Sequence, residues 1–234
     1  TKLSQFVTAR YAPKEAMQAI WAYILQWVEG RDAPARRLDW TPTVLPSYTR
    51  EQKLPANAAL SAVQRGIDWY TGAKMLLNEQ GWEEYKKLWN LNDTNMLTNI
   101  PSVDNAAPQP KADVGDGTYG SLEGVTSQVH LDGSQLTRWW LRSDVNGESA
   151  LAFALRSKLD GDKRSRLIAG NLLDWVYFRS GLFQNDSDKA NYGLLYWAPG
   201  NAQALYQDND IKTILGCIGT SGLLNTDRWN EVLV

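Results

Sequence analysis

Apolar residues recur every three or four positions along much of this chain, and this spacing restricts the fold more than any other feature. In residues 12–28, for example, Met17, Ile20, Ile24 and Val28 fall on one face of a helix. Gly30 then stops the pattern. The sequence therefore predicts a mainly α fold whose helices are separated by proline-rich or polar connections.

The same periodicity predicts six further helices, which makes seven in all. They cover residues 56–78, 83–90, 147–159, 162–179 and 208–224, with a last helix that begins at 225–227. Asp162 is expected to cap the helix that follows it. Residues 31–55 and 91–118 contain several prolines and are expected to be irregular, the second stretch serving as a lid or linker.

A β-hairpin is predicted within the helical pattern, near residues 121–142. Asp132-Gly133 separates two segments of alternating character, residues 125–130 and 134–141, and Asp-Gly at such a position favours a tight hairpin turn. Trp139 and Trp140 follow the turn, and alternation on a strand predicts that one ring is buried and the other exposed.

Composition excludes several classes of function. The net charge of −2 provides no basic surface for nucleic acid, and no apolar run approaches the length of a membrane span. One cysteine, Cys217, and one histidine, His130, exclude a disulfide framework and a histidine-based metal site. We expect Cys217 to be buried and His130 to lie on the surface, and we expect no cofactor and no metal.

Aromatic residues with a polar edge are unusually frequent. The chain has 11 tryptophans and 10 tyrosines but only 4 phenylalanines. Such side chains suit surfaces that are half apolar and half wet, as sugar-binding clefts are. The alternative is that many of these rings belong to the core of a helical protein.

The ends of the chain indicate a piece of a longer polypeptide. Residue 1 is not methionine, no signal peptide is recognisable, and residues 227–234 have the pattern of a helix that has only begun. We expect residues 1–10 to be a tail or the remnant of a preceding domain, and residues 11–234 to form a helical domain. The compartment is left open; a periplasmic or secreted location is compatible with the sequence.

Three stretches together resemble the six-hairpin glycosidase-like superfamily, and more narrowly bacterial glycoside hydrolase-like proteins of no assigned family. They are DGTYGSLEGVTSQVHLDGSQLTRWWLRSDVNGESALAFAL, the helix pair joined by LDGDKRSR, and LYQDNDIKTILG. The resemblance covers residues 56–234 and implies a helical-hairpin array of the (α/α)6 toroid type. Seven helices make only part of such a ring. Further domains of the same polypeptide or a second copy would then complete it, unless the chain builds a smaller array.

The resemblance implies a carbohydrate-active protein, in which two carboxyl groups flank the glycosidic bond. Asp144 and Glu148 stand four residues apart and share a helical face if the helix begins by Asp144. Asp208 and Asp210 precede another helix, where such proteins place a catalytic acid. Capping of helix N-termini is the alternative role for Asp144 and Asp208.

A glycan partner would be bound by aromatic rings and by arginines, which hold acidic groups in a bidentate manner. The residues expected to bind substrate are Tyr119, Glu123, Arg138, Trp140, Arg142, Trp197 and Tyr206. For the two arginines, pairing with Glu123 or Asp132 across the hairpin is the alternative.

Two other functions stay open beside hydrolysis. One is a non-catalytic carbohydrate-binding or scaffold module that keeps the fold but lacks a complete acid pair. The other is different sugar chemistry on the same fold. The single histidine argues against an epimerase, whereas Tyr119, Tyr206 and Arg142 would suit a polysaccharide lyase.

Overall fold

The computed structural model describes residues 14–30, 32, 36–39, 47–49, 51–92, 106–130, 132–200 and 204–233. The chain divides into two compact units, one formed by Thr1–Leu54 and Thr126–Leu136 and the other by Pro55–Val125 and Thr137–Val234. Helices dominate the described residues, which confirms the mainly α class. The boundary expected between residues 10 and 11 lies outside these residues and stays a prediction.

The first unit contains helix α1, Lys14–Glu29. Met17 is buried, but Ile20 and Val28 are exposed, so the predicted apolar face is only partly covered. Periodicity predicts that a helix forms; it does not predict how much of its apolar face other residues will cover. His130 is exposed, as expected. It lies in the turn around Asp132-Gly133, which belongs to this unit.

The second unit holds five α-helices among the described residues. They are α2 (Ala58–Gly72), α3 (Glu79–Trp89), α4 (Ser143–Asp160), α5 (Lys163–Asp174) and α6 (Gln207–Leu224). A π-helical turn, Trp175–Arg179, extends α5, so the helix predicted to reach residue 179 is confirmed. The predicted start of a last helix at residues 225–227 is wrong, because the described residues after α6 form only a short 3-10 turn at Asn230–Val232.

The predicted boundary between the second and third helices is wrong. Helix α2 ends at Gly72 instead of continuing to residue 78, because Lys74 adopts a left-handed conformation with φ of 53°. Residues after it run in an extended form, and Leu76 pairs with Ser121. Helix α3 then begins at Glu79, where the side chain of Asn78 accepts a hydrogen bond from the Gly81 N–H at 2.9 Å.

A small antiparallel sheet confirms the predicted hairpin. Strand β2 (Gly124–Val125) pairs with β3 (Thr137–Arg138), with Gly124 opposite Arg138 and Val125 opposite Thr137. Strand β1 (Ala106–Ala107) pairs with the other edge of β3, which gives the order β1-β3-β2. Strand β1 falls in the stretch predicted to be irregular; two alanines show no alternation that would indicate a strand.

Helices α4 and α6 pack side by side in parallel. Asn209 contacts the start of α4 at Asp144, Thr213 meets Gly147, and Gly219 meets Leu151, so contacts advance in the same direction along both helices. Helix α5 returns from α4 after Gly161, which has φ of 75°, and Asp162, which caps α5 as predicted. Helix α4 therefore begins, like α6, at one common end of the unit.

Candidate functional site

Asp144 lies in the first turn of α4 and is almost completely buried, with 2% of the residue exposed. Its Oδ2 accepts a hydrogen bond from Nη2 of Arg142 at 2.6 Å, and its Oδ1 accepts one from the Val145 N–H at 2.9 Å. The N-cap residue of α4 is Arg142, so the prediction that Asp144 could be the N-cap is wrong. The Asp144 carboxylate does accept a hydrogen bond from an amide of the first turn.

Arg142 joins two carboxylates. Its Nη1 donates to Oε1 of Glu123 at 3.2 Å while Nη2 holds Asp144, and Nε of Arg138 donates to Oε2 of Glu123, also at 3.2 Å. The cross-strand pairing considered for the two arginines is thus present at Glu123. A planar guanidinium that holds two carboxylates also fixes the positions of both.

Lys212 places a second carboxylate near Asp144. Its Nζ lies 3.8 Å from Oδ2 of Asp144 and 3.3 Å from Oδ2 of Asp208. These two oxygens are therefore at most about 7 Å apart. The Asp208 side chain is 70% exposed, so one carboxylate of this pair is buried and the other faces solvent.

A buried polar pair holds the ends of α4 and α6 in register. Nδ2 of Asn209 donates to Oγ of Ser143 at 2.6 Å, and the Asp144 N–H donates to Oδ1 of Asn209 at 3.2 Å. Both Ser143 and Asn209 are buried. Since hydrogen bonds in a buried setting are costly to break, they fix where Asp144 and Asp208 stand relative to each other.

The Arg142 guanidinium lies against the Trp197 ring, and the aromatic rings of this region are less accessible than predicted. The Trp197 ring lies 5.2 Å from the guanidinium carbon of Arg142 and 4.8 Å from the Trp140 ring, between ring centroids. The prediction that one tryptophan of the Trp139-Trp140 pair is exposed is wrong, because both are buried. Trp140 also stacks on Trp89 of α3, so its faces are occupied by protein.

Tyr206 is the aromatic residue of this region that solvent reaches most readily. It is 49% exposed and meets Trp197 edge to face, at 6.1 Å between centroids. It precedes α6 directly and so stands two residues before Asp208. A ring with this exposure is available to stack on a ligand.

Three of the predicted site residues do not join the contacts around Asp144 among the described residues. Glu148 is exposed one turn beyond Asp144, and Tyr119 stacks on Trp82. Asp210 accepts a hydrogen bond from the Leu195 N–H at 3.0 Å. Burial raises the pKa of Asp210, the hydrogen bond from Leu195 lowers it, and the charge of Asp208 raises it further.

The sequence reasoning missed Lys212 and Asn209. A signal for Lys212 was present, since it stands four residues after Asp208 in a predicted helix, where opposite charges meet. Asn209 gave no such signal, because its role depends on the close packing of α6 on α4. Cys217 is buried as expected, and burial raises the pKa of its thiol to about 11.

Metal and membrane features are not found in the part of the chain that the structure describes. No group of three or more His, Cys, Asp or Glu side chains there is arranged to hold a metal ion. No helix among the described residues has the length and apolar character needed to cross a bilayer.

Comparisons with known proteins give no further assignment. No family model, no curated protein and no solved structure gives a match to the chain.

Proposed function

We propose that the second unit binds a glycan at the common end of α4 and α6 and cleaves a glycosidic bond with Asp144 and Asp208. The observation that carries this proposal is the position of Lys212, which brings the two carboxylates to within about 7 Å of each other. Glycosidases place their paired carboxyl groups roughly 5–9.5 Å apart, and the upper limit of about 7 Å is compatible with that range.

The surroundings of the two carboxylates support different roles. Asp144 is buried and held by Arg142, so its orientation is fixed, as a nucleophile or a base for water requires. Asp208 is exposed and restrained by one contact to Lys212, so it is accessible to a leaving group. Once Lys212 has moved away, protonated Asp208 gives its proton to the leaving oxygen, and Asp144 attacks the sugar or activates water.

Binding of the sugar would use the exposed ring of Tyr206 and the polar groups beside it. Tyr206 offers a stacking face, and Lys212 and Arg142 offer donors to hydroxyl groups. Lys212 would have to leave one carboxylate when substrate enters. Its side chain is 42% exposed, which leaves room for that movement.

A partial (α/α) toroid is the fold that we propose around this site. Helices α4 and α6 run parallel and begin at the same end, and α5 returns between them in the chain. This alternation is the one that the resemblance implies for inner and outer helices of a ring.

A second candidate is a glycan-binding module without hydrolysis. It is favoured by Lys212, because its ammonium group lies within ion-pair distance of both carboxylates and stands where a glycosidic oxygen would have to lie. In this case Asp144 and Asp208 accept hydrogen bonds from sugar hydroxyl groups and perform no chemistry.

The test begins with binding of the intact chain to a broad glycan array, followed by assays of reducing-sugar release on each glycan that binds. Asp208→Asn should lower hydrolysis by at least about 100-fold, the usual contribution of a general acid. Asp186→Asn is the matched control, because Asp186 is an exposed acid with a similar lysine partner, Lys189. Binding without hydrolysis would support the second candidate, and no binding to any glycan would overturn both.

A further inference from the structure

A pocket of about 390 Å³ lies along α5, apart from the carboxylate cluster described above. Residues of α5 line the pocket along the helix. Arg228, which follows α6, lines one side. The pocket lining includes Lys163, Arg166, Leu167, Gly170, Asp174 and Arg228. None of them forms a hydrogen bond or ion pair with Asp144 or Asp208 in the part of the chain that the structure describes.

The charge of this pocket is positive and only partly compensated. Arg228 donates two hydrogen bonds to Asp174, at 2.7 and 2.6 Å, so these two residues neutralise each other. Asp174 is the only carboxylate that lines the pocket within the described residues. Lys163 and Arg166 form no ion pair with a carboxylate in the described part of the chain, which leaves two positive charges.

Arg166 is anchored so that its remaining donors stay available. Its Nη2 donates to the Leu224 carbonyl oxygen at 2.7 Å, which fixes one corner of the guanidinium. A guanidinium has five N–H donors in a rigid plane, so several are left for a ligand. Because the group is already held in place, binding loses less side-chain entropy than with a free arginine.

The middle of the pocket is apolar. Leu167 is 55% exposed and lies one position after Arg166 on α5. At Gly170 a Cβ atom would meet no other atom within 4 Å, so the floor is open there. A ligand that fills the pocket therefore brings an apolar face beside its charged group.

We propose that this pocket binds an oxyanion, a carboxylate or a sulfate, carried on a small molecule with an apolar face. Lys163 and Arg166 bind the oxyanion, and Leu167 contacts the apolar part. Charge-assisted hydrogen bonds from Arg and Lys to such groups are among the strongest in proteins, which makes these two residues the main source of affinity. This site is independent of the glycan site and stands whether or not that site is correct.

The experiment titrates the intact chain with sodium benzoate and sodium benzenesulfonate, using benzyl alcohol as the neutral analogue. Binding is followed by amide chemical shifts of residues 163–171 at constant ionic strength. We expect saturable shifts with at least one anion and none with the alcohol. A preference for benzoate would identify the source as a carboxylate, and a preference for the sulfonate would identify a sulfate-like group. No saturable shift with either anion would overturn the proposal.

Variants identify the two cations. Lys163→Gln and Arg166→Gln should each weaken anion binding by about tenfold, the loss of one charge-assisted hydrogen bond. Arg164→Gln is the matched control, since Arg164 is an exposed neighbour on α5 that does not line the pocket. Equal weakening by Arg164→Gln would show only a general charge effect and would overturn the site. Within the described part of the chain the Lys163 side chain forms no hydrogen bond or ion pair, so its variant remains informative if Arg166→Gln unfolds.

Discussion

Gly216 of α6 packs directly against the backbone of Gly147 in α4. A Cβ atom on Gly216 would overlap the Gly147 carbonyl group, and one on Gly147 would lie 2.8 Å from the Thr213 Cα. The two helices approach this closely only because both residues lack side chains. Asp144 and Asp208 stand in the first turns of these helices, so the glycine contact also determines the distance between the two carboxylates.

Gly216→Ala should destabilise the protein, because the added methyl group has no space and the two helices must move apart. We expect a loss of about 1–3 kcal/mol in the free energy of unfolding, measured by urea denaturation. Gly222→Ala on the same helix is the control, since a Cβ there meets no atom within 4 Å. It should stabilise the helix by up to about 1 kcal/mol. Equal effects of the two substitutions would contradict the close packing.

Asp162 should make a pH-dependent contribution to stability. Its carboxylate accepts hydrogen bonds from the Ser165 hydroxyl and from the N–H groups of Ser165 and Arg164. The hydroxyl contact, opposed by burial and assisted by the two N–H groups, holds the pKa of Asp162 below its usual value. This stabilisation is therefore complete above the unfolded-state pKa of about 3.9 and is lost as the pH falls through the lower folded-state pKa.

Asp162→Ala should cost about 0.5–2 kcal/mol at pH 7, the usual contribution of an N-cap. The difference from the wild-type protein should shrink as urea denaturation is repeated below about pH 4. Asp188→Ala, at an exposed loop position, should have little effect at any pH. A constant difference for Asp162→Ala between pH 7 and pH 3 would show that ionisation of this carboxyl is not what stabilises α5.

Arg142→Gln should be more harmful than Arg138→Gln, although both arginines bind Glu123. Arg142 also holds the buried Asp144 carboxylate, whereas the Arg138 side chain is 41% exposed and has one acidic partner. We expect a loss of roughly 1.5–3 kcal/mol for Arg142→Gln, because hydrogen bonds between charged groups are broken. Arg138→Gln should cost less than about 1 kcal/mol. Thermal unfolding of both variants tests this order, and similar melting temperatures would contradict it.

The sequence was sufficient to predict the helices whose first and last residues have recognisable start and stop signals. Residues 208–224 were predicted as a helix, and α6 is Gln207–Leu224. Asp162 was predicted to cap α5, and it does. The boundary at α2 was missed because Lys74-Met75 continues the apolar period, while tertiary pairing of Leu76 with Ser121 takes these residues into an extended segment.

The site was less predictable than the helices, because it depends on which helices pack together. Pairing of Arg142 with Glu123 across the hairpin was considered as an alternative and is present, because local geometry brings these residues together, whereas the ion pair of Arg142 with Asp144 was not predicted. Lys212 and Asn209 join them only because α6 lies against α4. Asp210 was grouped with Asp208, yet two positions on a helix differ by roughly 200°, so it points elsewhere.

Trp140→Ala should chiefly lower stability, because this ring belongs to the core. Trp140 is 5% exposed and lies between the rings of Trp89 and Trp197. Truncation of such a ring should cost about 3–5 kcal/mol in urea denaturation. Trp69→Ala is the control, since Trp69 is 42% exposed and meets Tyr70 edge to face, and it should cost much less. If Trp140→Ala folds with nearly wild-type stability, the packing of Trp140 between Trp89 and Trp197 is wrong.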